Sequence, residues 1–259
     1  MQTQVFVYYK HLIQAKSSTM KNKAVLFLLF FSSAFAISSC YYNFTGSISG
    51  NGDVRVESRE VSDFNSVDAS NGLHVFITFG DASSLQVEAD ENLHEIIRTE
   101  VESGQLRVYT EKNIRNAKAK NIRITVPSLK EIEVSSAADV KCENVLNTSQ
   151  IELSASSAGS LRLETNAGEI RVDASSSGSI ELRGEVGELD VDVSSAGTVD
   201  ADRLQAKYVR VSASSAGNAS VWALEELKAD ASSAGNIQYK GEPASRKVET
   251  SSAGSVSQR

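Results

Sequence analysis

The chain has 259 residues, with 26 Lys and Arg against 33 Asp and Glu, for a formal charge of −7. Acids and bases are interspersed, so the basic stripe that nucleic acid requires is missing. Two cysteines leave no room for a disulfide framework, and two prolines leave no Pro-rich linker.

The first segment reads as an address. Lys21 and Lys23 precede the apolar run Ala24–Phe31, and small residues follow, ending in Ile37-Ser38-Ser39-Cys40. This is a positive n-region, an apolar h-region and a cleavage zone. An aliphatic residue and two small ones before a Cys resemble a bacterial lipobox, which implies lipidation of Cys40 and cleavage just before it. Ala24–Ile37 spans 14 residues, short of the ~20 that cross a bilayer, which disfavours a membrane anchor; an ordinary secretory signal is the other alternative. Met20 gives the signal an ordinary length. The expected organisation is an upstream extension and signal over 1–39, a lipidated tether over 40–54 and one β-helix domain over 55–259. Within that domain, 55–130 is an N-terminal β-rich part and 131–259 holds regular coils.

Between residues 64 and 128 the pattern is mixed. Val67–Val75 matches the later repeats, with the turn shortened, so coiling is expected to begin near Phe64. Leu85/Val87/Ala89, Leu106/Val108/Tyr109 and Ile122/Ile124/Val126 alternate as strands do, and a brief helical turn fits Leu93–Ile97. The stretch between Gly80 and Ser128 reads as an insertion of longer strands that caps the amino end. Lys112, Arg115, Lys118, Lys120 and Arg123 read as a solvated loop between strands.

From Ser135 onward the chain repeats Ser-Ser-Ala/Ser-Gly. The fourth positions are Ala138, Gly159, Gly178, Gly197, Gly217, Gly235 and Gly254, at spacings of 21, 19, 19, 20, 18 and 19. A fixed period of this length marks a solenoid whose coils bury their apolar faces only by stacking. Runs such as Ile151/Leu153/Ala155 before each turn and Leu161/Leu163 after it alternate with period two. No segment between copies holds a helical crossover, so the fold class is all-β, a parallel β-helix of ~19-residue coils stacked about 4.8 Å apart. The fourth-position glycines are expected to supply φ > 0 at the corner, which would leave the Ala138 turn different or strained. Cys142 falls on an inward position, as a small buried hydrophobe. The last copy is followed by a short tail, and its open edge predicts a homo-oligomer through the C-terminal coil.

Candidate chemistry is sparse. The turn serines lack a positioned base and read as a structural ladder. Two positions before each Ser pair stand Glu133, Ser154, Asp173, Asp192, Ser212, Asp230 and Glu249, which stack into one outward row. Asp173, Asp192, Asp230 and Glu249 are weak candidates for Ca²⁺. Arg171, Arg210, Lys228 and Lys247 in the adjacent row are expected to neutralise them, so no metal or other cofactor is assigned. Trp222 and Tyr208 are candidates for stacking on sugar rings, whereas Tyr239 reads as core. A carbohydrate-active enzyme would need a cleft and acids with perturbed pKa values.

The lipobox, the stretch Arg59-Glu60-Val61-Ser62-Asp63-Phe64-Asn65-Ser66-Val67 and the Ser-Ser-Ala-Gly coils together resemble the auto-transporter adhesin head GIN domain family of Bacteroidetes-type bacteria. The resemblance covers roughly residues 55–250. It implies a right-handed β-helical envelope protein and offers no catalytic residues to carry over. The expected protein is a non-enzymatic outer-membrane lipoprotein, on the periplasmic side or the cell surface. It binds the membrane through its lipid and a glycan or envelope protein through its solenoid, and it has no nucleic-acid partner. The alternatives are a self-assembling structural or regulatory module and a carbohydrate-active β-helix enzyme.

Overall fold

A computed structural model describes residues 46–259, so Cys40 and the signal lie outside the described residues. Ser47–Arg259 forms one compact unit. Its strands are β1 (Ile48–Ser49), β2 (Val54–Arg59), β3 (Ser66–Ala69), β4 (His74–Phe79), β5 (Ser84–Asp90), β6 (Ile97–Glu102), β7 (Gln105–Thr110), β8 (Ile114–Asn116), β9 (Lys120–Val126), β10 (Glu131–Val134), β11 (Asp139–Cys142), β12 (Leu146–Ala155), β13 (Ser160–Ala174), β14 (Ser179–Val193), β15 (Thr198–Ala213), β16 (Asn218–Ala231), β17 (Asn236–Lys240), β18 (Ser245–Thr250) and β19 (Ser255–Gln258). Among the described residues, the helical element is a single 3₁₀ turn at Glu91–Leu93. The fold is the expected parallel β-solenoid.

Stacking is in register along its length. Val67, Ile132, Leu153, Val172, Val191, Val211 and Ala229 form one inward row, each paired with its counterpart one coil away. All seven are buried, so every coil supplies one layer of a continuous apolar interior. Residues at alternate positions face outward, as the pleat requires. Tyr239 is buried, as expected. Cys142 is half-buried against the core, and desolvation pushes its thiol up to about 12, which makes it inert at neutral pH.

The turns depart from expectation. Their fourth-position glycines do not carry positive φ. The two residues before them do: Ser157 and Ala158 lie at 49° and 62°, Ser195 and Ala196 at 49° and 60°, Ser215 and Ala216 at 48° and 61°. With Gly159 N donating to Ser156 O at 2.8 Å, each corner is a type I′ turn built on non-glycine residues. Glycine follows for a different reason. A Cβ on Gly217 would sit 2.7 Å from the carbonyl oxygen of Val193 one coil below, and a Cβ on Gly159 equally close to that of Val134. The Ala138 turn is not different: Ser136 and Ala137 lie at 50° and 60°. The earliest turn is also full length, with Asn71 and Gly72 at 60° and 68° in the same two places and Leu73 in the fourth. Asp139 N donates to Leu73 O just as Ser160 N donates to Ala138 O, so this turn is not shortened.

The amino end is the expected cap, assembled out of chain order. β7 and β9 form a coil beneath β3 and β4, while β10 and β11 stack on the other side of β3 and β4. The first coil in the sequence is therefore the second in space. Antiparallel β5, β2 and β6 wrap this end. Ile48–Ser49, within the expected tether, pairs with Ile114–Asn116. Arg59 pins the entering strand by donating to the carbonyls of Ile97 (2.8 Å) and His94 (3.0 Å). Asp90 is buried and accepts from the backbone of Gly52 (2.9 Å), Ala119 (2.9 Å) and Lys118 (3.1 Å).

Candidate binding faces

Two faces carry outward ladders that could meet a ligand. The strands before each turn present three. One runs Glu133, Ser154, Asp173, Asp192, Ser212, Asp230, Glu249, in the register the repeat implies. Beside it run Glu152, Arg171, Asp190, Arg210, Lys228 and Lys247, and then Glu169, Glu188, Tyr208 and Glu226. Open recesses of about 310–370 Å³ lie between these rows.

The cations do not neutralise the acidic row as anticipated. Arg171 reaches Glu152 (3.3 Å) and Glu169 (2.8 Å), Arg210 reaches Asp190 (3.4 Å) and Lys228 reaches Glu226 (2.9 Å). Among the described residues, only Lys247 pairs into the row, with Glu249 at 2.8 Å. The uncompensated acids crowd one another. Desolvation, Asp190 and Asp173 hold the Asp192 carboxyl above its usual range. Desolvation, Glu131 and Asp68 do the same at Glu133. These two acids stand three coils apart, about 14 Å at the strand spacing, beyond the roughly 5–10 Å between the paired carboxyls of glycoside hydrolysis. Among the described residues, no group of three or more His, Cys, Asp or Glu side chains is placed to hold a metal. Asp173, Asp192, Asp230 and Glu249 share a row but not a cage.

Tyr208 is exposed on this charged face, and its hydroxyl hydrogen-bonds Glu225, which with Glu226 and Glu188 holds its pKa above the ordinary value. Trp222 stands elsewhere. It continues the ladder Asn147, Asn166, Glu185, Gln205 on the next face, round the corner at Gly168 and Gly187. The structure therefore does not bring the two aromatic candidates together. Cys40 lies outside the described residues. The turn residues Gly159, Gly178, Gly197, Gly217, Gly235 and Gly254 are structural, for the steric reason given above.

Sequence reasoning missed the corner itself. Gly168 and Gly187 repeat 19 residues apart, and a Cβ on either would sit 2.6 Å from a carbonyl oxygen of the coil below, Ser149 for the first and Gly168 for the second. Their second glycine period was the available signal. The result is a recess of about 540 Å³ with the bare backbone of Gly168 and Gly187 on its floor beside Ala167 and Val186, lined further by Asn166, Glu185, Gln205, Lys207 and Leu224.

Comparisons with known proteins agree with this architecture. No curated protein matches the chain. The crystal structure of a putative adhesin from Bacteroides fragilis superposes with a TM-score of 0.76 at 24% identity, covering 82% of this chain and 100% of that one. A putative lipid binding protein from Parabacteroides distasonis gives 0.64 at 22% identity, covering 82% and 99%. A putative adhesin from Parabacteroides merdae gives 0.63 at 19% identity, covering 83% and 100%. At these identities the likeness is one of fold. A family profile extends over residues 63–243, which takes in most of the cap and all of the solenoid but its last coil: the chain belongs to the family described as putative auto-transporter adhesin, head GIN domain.

Proposed function

We propose that this is a cell-envelope lipoprotein, anchored through Cys40, that uses its solenoid as an adhesin-like binding surface for a glycan or envelope protein and does no covalent chemistry on it. The supporting observation is the in-register repetition of outward side chains over coil after coil. Such ladders make long, stiff faces with open recesses, suited to gripping an extended ligand by many weak contacts. The family and its adhesin-described structural neighbours agree with this role. The lipobox favours an outer-membrane site, periplasmic or exposed.

The reading is tested with the full chain expressed in a bacterial host. Labelled palmitate is expected on the wild type and not on Cys40→Ser, which should leave the membrane fraction. The detergent-solubilised protein is then screened on glycan and envelope-protein arrays, with and without Ca²⁺. Reproducible binding to either array supports the reading. Unlabelled wild type, or silence on both arrays, sinks it.

A further inference from the structure

We infer that the glycine-floored corner recess is a binding site for a neutral polysaccharide strand lying along the solenoid axis; this rests on the adhesin-like reading and names its ligand class. The recess exists because coil packing forbids a side chain at two successive rungs. In the row Ser149, Gly168, Gly187, Lys207, Leu224, the two glycines leave backbone bare between side-chain walls. One wall is the ladder Asn166, Glu185, Gln205, all exposed. The C-terminal end is closed by the stem of Lys207 and by Leu224, 40% exposed.

The wall chemistry selects the ligand. Asn and Gln each offer two donors and an acceptor, Glu two acceptors and Lys three donors. Such groups suit vicinal hydroxyls, which donate and accept at once. Asn166 Nδ2 donates to Asn147 Oδ1 at 3.0 Å, which orients that amide along the ladder and leaves its own oxygen available. Rungs recur every 4.8 Å or so, close to the length of one pyranose in a β-linked chain, so each sugar of an extended strand lies level with one rung of the ladder. Trp222 occupies the rung after Gln205 and is half-buried, a position from which an indole can carry a ring face. Charge argues against a polyanion: Glu185 stands in the wall, and Glu169 and Glu188 border the far side of the corner. Lys207 is the cation in the recess lining.

The test uses the full chain in mild detergent and an array of neutral and acidic oligosaccharides, with cellohexaose and hexagalacturonate as the reference pair in titrations. Neutral glycans are expected to bind, and Glu185→Ala with Gln205→Ala to weaken that binding at least tenfold. Arg210→Ala on the charged face should change it less than twofold. All three positions are exposed or bridged only at the surface, and circular dichroism with thermal melting confirms the fold of each variant. Neutral binding that survives the recess substitutions but falls with Arg210→Ala overturns the site while keeping the adhesin-like reading. Binding of hexagalacturonate alone, or of an envelope protein alone, overturns the ligand class while keeping that reading. Silence on glycans and proteins alike overturns both.

Discussion

At single residues, the Ser-Ser-Ala-Gly corner divides two costs between neighbours. Two consecutive L-residues in the left-handed region cost about 2–4 kcal/mol per turn. Around Ala216 the turn closes with Gly217 N to Ser214 O at 2.8 Å, and Ser214 N, Ala216 N and Asn218 N reach the adjacent coils at 2.9, 3.1 and 2.9 Å. Four hydrogen bonds at about 0.5–1.5 kcal/mol each are of the same size, so the strain holds only while neighbours are stacked. Gly217→Ala should therefore destabilise by about 1–3 kcal/mol, because its Cβ meets the Val193 carbonyl 2.7 Å away. Ala216→Gly should be neutral or gain up to about 1 kcal/mol, through relief at φ 61°. Equilibrium urea unfolding of the two variants separates the positions; equal losses would refute the division. Asp90 is the other residue with a definite expectation. Burial alone pushes its carboxyl up, but hydrogen bonds from Ala119, Gly52 and Lys118 outweigh that and hold it below its ordinary 3.8. A depressed acid contributes stability that is present above its unfolded value, near pH 4, and lost as pH falls through the folded one. Asp90→Ala should thus destabilise the cap at neutral pH by about 1–3 kcal/mol, leaving three partly buried backbone donors without their acceptor. Its melting temperature should also fall less steeply below pH 4 than that of the wild type.

Among the strands and ladders, the acidic row behaves as a reservoir of repulsion. Glu133 and Asp192 are both held above their usual range, so the neutral carboxyl is the form the fold prefers. The penalty of ionisation is absent below the unfolded value and grows as pH rises through the folded one. Glu133→Gln and Asp192→Asn should each raise the melting temperature at pH 7, with the gain fading toward pH 4. Scanning calorimetry across that range decides it, and a gain that persists at pH 4 would point to packing instead. The row itself was legible in the sequence, since one repeat length fixes which residues stack. The partners of Arg171, Arg210 and Lys228 were not legible, because periodicity gives rows and says nothing of which flank a long side chain leans toward. The glycine φ assignment failed on a similar point: a repeated place in a turn does not tell a torsional need from a steric one. The corner recess was missed because its glycines occur in only two coils, with Lys207 and Leu224 replacing them above.

Across the whole molecule, the two ends are treated differently, and the difference bears on assembly. The amino end is wrapped by antiparallel strands, a consequence of β7 and β9 sliding beneath an earlier coil that no local pattern announces. The carboxyl end is dressed by side chains alone. Arg246 takes the inward row of Leu189, Val209 and Leu227 and donates to the Tyr239 hydroxyl, while Gln258 closes the row of Tyr239. Polar inward residues discourage apolar stacking of whole coils, yet every residue of β18 is exposed and its outer backbone edge is open. An isologous pair of β18 edges, antiparallel about Val248, sets Lys247 of one copy opposite Glu249 of the other, twice by symmetry. Opposed charges across such a pair contribute about 0.2–1 kcal/mol each and like charges cost as much, so the contact is expected to be weak and charge-dependent. Sedimentation at rising concentration should show a monomer–dimer equilibrium for the full chain in detergent. Lys247→Glu should shift it toward monomer, and Lys247→Glu with Glu249→Lys should restore it. A monomer at every concentration, or a double variant no better than the single one, would leave this edge to a different chain.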